Sequence, residues 1–353
     1  MSLSRGMLDE VARRIAAGPA HFPHTLDAVR DRLLLIGLTE QDIAAASFMD
    51  QRILTPAIKG DWAPFPEVVE RIGHAGRDDA HMIFHIGHVG STLISRLLGS
   101  WPEVLALREP LLLRTLADLW ARKDDVGCPW DPAALPLRTE AVRRLLSRTF
   151  RPGQRAVIKA TSFASEIAPH LVAPGAKALF LYVSPQSYMR TILAGEGSRQ
   201  DMLVTLGARL KRLARRLEPM PFRAWSLGEG ERVALAWVTE MLSLAAAEAA
   251  LPAGSVLWLD FDDFLSQPAA ALRRVTSHFG IAASEPEIAR VVAGPLMHSY
   301  SKAPEHKYDA ALRRALLAQA ATEHASALAA GTAWLERLAG QHAAVARLRG
   351  LAA

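Results

Sequence analysis

The chain has 353 residues, 50% hydrophobic and 22% charged, and its 41 Lys and Arg against 36 Asp and Glu leave a formal charge of +5. That balance fits one large α/β domain with additions, or two modest domains, and excludes a disordered polyelectrolyte. The single cysteine, Cys128, excludes an intramolecular disulfide and a cysteine-built metal site. No Lys/Arg block or basic–aromatic interleaving points to nucleic acid.

The first residues, MSLSRGMLDEVARRIAAG, carry acidic side chains and no apolar signal core. No run approaches the roughly 18–20 uninterrupted apolar residues of a membrane span, so a soluble, cytoplasmic protein with no membrane partner is expected. Residues 1–80 read as a helical N-terminal cap. DEVARRIAAG and LDAVRDRLLLIG have helical spacing, the second stopping at Gly37, and TEQDIAAASFMDQRIL opens on a capping box at Thr39 with Gln41 and Asp42 in its first turn. Residues 81–353 read as the main domain, with a helical C-terminal extension.

At residues 82–99, MIFHIGHVGSTLISRLLG, an apolar strand ends in a Gly-His-Val-Gly turn, and an amphipathic helix opens at Ser91 and Thr92. Strand, glycine loop and helix together cradle phosphate, because glycines let the backbone approach the anion and helix-start N–H groups point at it. A nucleoside-triphosphatase loop reads G-x-x-x-x-G-K-[ST]. Here His85 stands at the first Gly and Ser91 at the Lys, so the loop suits a phosphate-like group but not ordinary ATP hydrolysis.

Further on, EVLAL ends at Arg108-Glu109-Pro110, and helices are expected in LLLRTLADLWARK and LRTEAVRRLLSRTF. The strand AVIKA ends at Lys159, a helix runs through SEIAPHLV, and the strand KALFLYV precedes a helix opened by Pro185. Two long helices over roughly 200–218 and 231–250 lead to a last strand, SVLWLDF, and the helix AAALRRVTSHFG. Alternating strands and helices predict a parallel sheet covered on both faces, with the ligand at the carboxyl ends of its strands. The loop, Glu109, Lys159 and the turn at Ser184 all fall there.

Each candidate has a bland reading beside the functional one. Glu109 is either a general base or an acid at a helix start before Pro110. Lys159 is either a solvated strand end or a cation for developing negative charge. His85 reads as a core residue without a role. Asp260, Asp262 and Asp263 follow an apolar strand as a Mg²⁺-binding acid does, but helix capping is the preferred reading. No H-x-x-x-H or H-E-x-x-H spacing occurs, so no metal is expected.

Four pieces in order resemble the P-loop-fold sulfotransferases that use 3′-phosphoadenosine 5′-phosphosulfate (PAPS). GHVGSTL is similar to that family's P-[KR]-x-G-[ST]-T-L/W loop; Gly90, Ser91 and Thr92 match, and His88 and Gly87 fall on the basic residue and the Pro. WPEVLALREP is similar to the segment that carries a base in some branches, by spacing Glu109. VIKATS resembles the family's K-T-H strand end, with Lys159 matching and Thr161 at the His. SVLWLDFDDFLSQPAAALRRVTSHFGI resembles a structural element. The family's R-N-P-x-x-x-x-x-S, which holds the 3′-phosphate, becomes Val183-Ser184-Pro185 through Thr191. The Arg is lost. Arg190, Arg199 and the loop HSYSKAPEHKYD, with Lys302, His306 and Lys307, offer replacements.

The resemblance implies a PAPS-dependent sulfotransferase acting on a hydroxyl or amine of a small-molecule or carbohydrate acceptor, without a metal. It implies catalytic roles for Lys159, Glu109 and His88. Donor binding is implied for Gly87, His88, Val89, Gly90, Ser91, Thr92, Leu93, Arg190, Thr191 and Lys302. A nucleotide kinase on the same fold and a degenerate nucleotide-binding protein are the competing readings.

Overall fold

Five short aliphatic runs form a fully parallel sheet in the computed structural model, which describes residues 15, 18–72, 76–218, 222–299 and 309–351. The strands are β4 (His81–His85), β5 (Val104–Arg108), β6 (Arg155–Lys159), β7 (Ala178–Tyr182) and β8 (Val256–Asp260). Their order is β5-β6-β4-β7-β8. β4 to β7 are almost wholly buried, as expected for strands covered by helices on both faces. The chain is an α/β fold with the phosphate-loop strand in the middle. Successive connections leave β4 first toward one edge and then toward the other, so its carboxyl end lies where the strand order reverses.

A second sheet precedes it. β1 (His21–Asp27), β2 (Arg32–Gly37) and β3 (Gly60–Pro64) pair antiparallel in that order. LDAVRDRLLLIG is therefore not a helix: it contains the end of β1, a turn and all of β2. The Asp27 carboxylate accepts the Arg30 N–H at 3.0 Å and Asp31 takes φ 52°, a local turn that competes with helix. The aliphatic run RLLLIG then pairs on both sides, as the central strand of the three. The capping box does form, Thr39 with Asp42 at the start of the helix Glu40–Ala45. DEVARRIAAG lies almost entirely outside the described residues.

The longest described helix, Glu229–Ala250, is apolar enough to cross a membrane by length and composition, with a mean hydropathy of 1.4. It is instead a core element with 72% of that stretch buried, and Trp237 within it donates Nε1–H to the Val183 carbonyl at 2.9 Å. Val183, where the resemblance expects an Arg, is wholly buried. Gly230 sits where a Cβ would meet the Ala327 carbonyl at 1.7 Å. The helices Glu229–Ala250 and Ala325–Gln341 thus cross in near backbone contact.

His81, at the head of β4, is buried against Phe279, with ring centroids 5.0 Å apart. Its Nδ1 accepts the Lys177 N–H at 3.1 Å, and its Nε2 lies 3.0 Å from both the Phe279 carbonyl and the Arg155 Nη1. Burial, then the Arg155 charge, push its pKa down to about 4 from 6.5. The unfolded chain therefore binds the extra proton between these values, and stability falls as pH drops from 6.5 toward 4. The loss is about 3 kcal/mol at the rate of about 1.4 kcal/mol per pKa unit. Unfolding free energies from urea titrations at pH 7 and pH 4 should differ by that much less in His81→Gln.

Candidate active site

The loop after β4 is a cradle of backbone N–H groups. Gly87, His88 and Gly90 take φ values of 87°, 55° and 66°, and such left-handed turns aim successive N–H groups at one point. The helix Ser91–Leu98 begins at Gly90 with no side-chain cap, so its first N–H groups remain for a ligand. Thr92 is buried with its hydroxyl unpartnered among the described residues. Gly90 is the residue this turn requires: a Cβ there would lie 2.0 Å from the Phe261 ring.

β6 lies between β5 and β4, and Lys159 is in register with Arg108 on one side and Ile83 on the other. This places Lys159 beside the residue that follows β5. The Glu109 N–H donates to the Lys159 carbonyl at 2.7 Å, and the Lys159 ammonium donates to the Glu109 carboxylate. Lys159 is 1% exposed, whereas the Glu109 side chain keeps 22%. Glu109 itself holds φ 51°. A non-glycine residue in the left-handed region costs of order 1–3 kcal/mol and persists where its surroundings over-determine it. The candidate residues His88 and Glu109 are two of the three non-glycine residues with positive φ among those described.

The preceding residue anchors that turn. Arg108 is buried; its Nε–H donates to the Ala46 carbonyl at 2.7 Å and its Nη2 to the Ile43 and Ala44 carbonyls at the end of the helix Glu40–Ala45. Burial, then the neighbouring Arg96, push its pKa down to about 10, so it stays charged at neutral pH. Phe48 places its ring 5.5 Å from the Lys159 ammonium. The N-terminal region thus covers one wall of the site.

His85 is not an idle core residue. It is buried yet lines the cavity; its Nδ1 accepts the Gly87 N–H at 3.0 Å and its Nε2 lies 2.9 Å from the Ala160 carbonyl. Nε2 therefore carries the proton, and the ring ties the loop to the end of β6. The same Nε2 is 3.8 Å from the Glu109 carboxylate.

These groups share one cavity of about 460 Å³, lined by His88, Val89, Gly90, Ser91, Thr92, Leu93, Glu109, Lys159 and Thr191 from the expected set. The volume lies within the range of ligand pockets. Gly87 lines a neighbouring chamber of about 170 Å³ that shares His85, His88, Glu109 and Ser198 with the first. Thr191 spends its hydroxyl proton on the Ser187 carbonyl at 2.7 Å. Arg190 lines neither cavity, and its Nε is buried without a partner among the described residues. Lys302, His306 and Lys307 lie outside the described residues.

A residue not foreseen, Arg313, lines the larger cavity. It comes from the helix Ala310–Glu323, is 7% exposed, and pairs with Asp262 at 2.7 Å. Its other terminal nitrogen, Nη2, is buried without a partner among the described residues. Its guanidinium lies 5.7 Å from the Phe261 ring. Arg313 shares the cavity wall with Leu316 and Leu317, three and four residues on; a cation on an apolar helix face was the available signal. The aspartates after β8 act as the capping reading expects. Asp260 accepts the Asp262 N–H at 2.7 Å at the head of the helix Phe261–Ser266, and burial pushes its pKa up to about 6. Asp262 accepts the Ser187 hydroxyl at 2.5 Å besides holding Arg313.

No protein-family model matches the sequence, and no curated protein matches it. Solved structures do. The sulfotransferase domain from the Curacin biosynthetic pathway is 12% identical with a TM-score of 0.43, covering 71% of this chain and 99% of its own. Sulfotransferase STF9 from Mycobacterium avium is 12% identical with a TM-score of 0.38, covering 92% and 97%. Retinol dehydratase in complex with androsterone and the inactive cofactor PAP is 13% identical with a TM-score of 0.32, covering 90% and 94%. The likeness is one of architecture, and no residue role passes from those proteins to this chain. The chain is structurally similar to PAPS-dependent sulfotransferases, bacterial ones among them, at low sequence identity.

Proposed function

We propose that this chain is a sulfotransferase that moves a sulfuryl group from PAPS to a hydroxyl or amine of a small-molecule or carbohydrate acceptor. One observation carries the reading. A phosphate cradle without a loop Lys shares its cavity with a buried Lys159 paired to Glu109 on the neighbouring strand end. Sulfuryl transfer needs positioning and electrostatic stabilisation at the bridging oxygen, as phosphoryl transfer does, but no metal to neutralise a triphosphate.

The residues present fit such a donor. The loop N–H groups and Thr92 offer donors to a 5′-phosphate. Arg313, with one unpartnered terminal nitrogen, supplies a guanidinium that the sequence lost at Val183. PAPS, when bound, supplies the sulfuryl group and leaves as 3′-phosphoadenosine 5′-phosphate (PAP). Lys159 holds positive charge at the strand end, where a leaving oxygen gains negative charge. Glu109, partly exposed and facing both cavities, takes the proton of the acceptor hydroxyl or amine. His88, at the junction of the same cavities, adds a donor that is charged or neutral according to the bound anion.

Thermal shift tests the reading. PAP at about a hundredfold excess over its Kd should stabilise the protein by about 2.7 kcal/mol, whereas Mg-ATP should not. Stabilisation by Mg-ATP alone would favour a kinase. Stabilisation by PAP without transfer to any acceptor would favour a degenerate binding protein, for which the loss of the Arg at Val183 is the best support.

A further inference from the structure

The smaller chamber carries an inference about the acceptor. Besides the residues it shares with the donor cavity, it is lined by Arg114, Phe163, Asp201 and Arg209. Arg209 is buried; its Nε donates to Glu240 at 3.2 Å and its Nη1 to the Thr205 hydroxyl. Glu240 is shared with Arg212, which also pairs with Glu166, as does Arg216. Three guanidiniums therefore face two carboxylates beneath this wall. Phe163 lies among the cations, its ring centroid 5.4 Å from both Arg209 and Arg212 and 5.9 Å from Arg114. Arg114 stands exposed on the helix Leu111–Ala121 and makes no hydrogen bond or ion pair among the described residues.

The balance of charge along the chamber is positive by about one unit. Glu109 is neutralised by Lys159, and Asp201 offsets one of the two guanidiniums that line the wall. A monoanion fits this surplus better than a dianion. A planar carboxylate also matches the fork of a guanidinium. We propose that the smaller chamber takes the carboxylate of a small acceptor, clamped between Arg114 and Arg209 against Phe163. This rests on the reading of Glu109 as the base that the acceptor must reach.

The test is direct binding. Benzoate, phenylpropionate and hexanoate, each beside its primary amide, are titrated by ligand-observed NMR against the full chain, with phenyl phosphate as a dianionic probe. At least one acid should bind roughly tenfold more tightly than its amide, and Arg114→Ala should abolish that difference. Arg114 is a surface residue, so the variant should fold; Arg114→Lys, which keeps the charge but loses the fork, should reduce the difference. Equal binding of acids and amides, no binding of any acid, an acid preference that survives Arg114→Ala, or tighter binding of phenyl phosphate than benzoate that Arg114→Ala abolishes would each overturn the proposal. PAP stabilisation is measured separately. If PAP fails to bind while the acid preference holds, the sulfotransferase reading falls and the chamber's specificity stands. If PAP binds and the preference is absent, the reverse is true.

Discussion

Lys159→Ala should lower sulfuryl transfer by roughly 10³-fold while changing PAP affinity by no more than about threefold, because the ammonium acts on charge that develops in the transition state. The geometry behind this is the position of Lys159 between β5 and β4, 1% exposed and held by Glu109. A buried cation on a parallel-sheet strand is costly unless paired, and Lys159 is paired with the carboxylate proposed as base. Removing the ammonium leaves Glu109 partly exposed to water, so the carboxylate stays solvated and the fold should survive. Lys159→Met separates charge from packing: it fills the site and should be as inactive as Lys159→Ala. The checks are single-turnover kinetics with labelled donor and titration with PAP. Unchanged turnover in either variant would remove the assigned role.

Gly90→Ala should weaken PAP binding roughly a hundredfold, about 2.7 kcal/mol. Two costs combine. The backbone there holds φ 66°, which an L-residue adopts at a cost of roughly 1–2 kcal/mol. The new Cβ would also lie 2.0–2.5 Å from three atoms of the Phe261 ring. Phe261 is buried, stacked on Phe264 and covered by Arg313, so it has little room to yield, and the loop must open instead. Gly87→Ala is the control. Its φ is 87°, but its Cβ would meet nothing nearer than the Ser162 hydroxyl at 3.9 Å, so it pays the backbone cost without the collision. Equal loss in both variants would mean that backbone strain, not the Phe261 contact, shapes the cradle.

What was legible in the sequence was whatever chemistry sits within one contiguous stretch or at the end of one strand. The loop 86–93 announces itself because strand, glycine turn and helix are consecutive. Lys159 and Glu109 stand out as charges closing apolar runs, and parallel pairing brings successive strand ends together. The hairpin of β1 and β2 is hidden in the sequence because RLLLIG has no polar alternation to separate strand from helix, and the deciding turn at Asp27–Asp31 depends on one side chain. His85 was set aside because a histidine inside an apolar run usually packs, and its hydrogen bond to the Ala160 carbonyl is a tertiary contact. Arg313 leaves only a weak mark in the sequence, a cation on an apolar helix face. Its partner Asp262 and the ring beneath it belong to another part of the chain.

That last contact bears on the order in which the site can be assembled. The cradle, the Lys159–Glu109 pair and the edge strand β8 are all encoded before residue 261. The guanidinium over the cavity belongs to the helix Ala310–Glu323. On the ribosome, the sheet and its loop can thus form while the donor cavity still lacks its roof. On the proposed function, tight retention of a nucleotide should then begin only once Arg313 has emerged and docked on Asp262. An emerging chain would meet the nucleotide pool with its cradle still open.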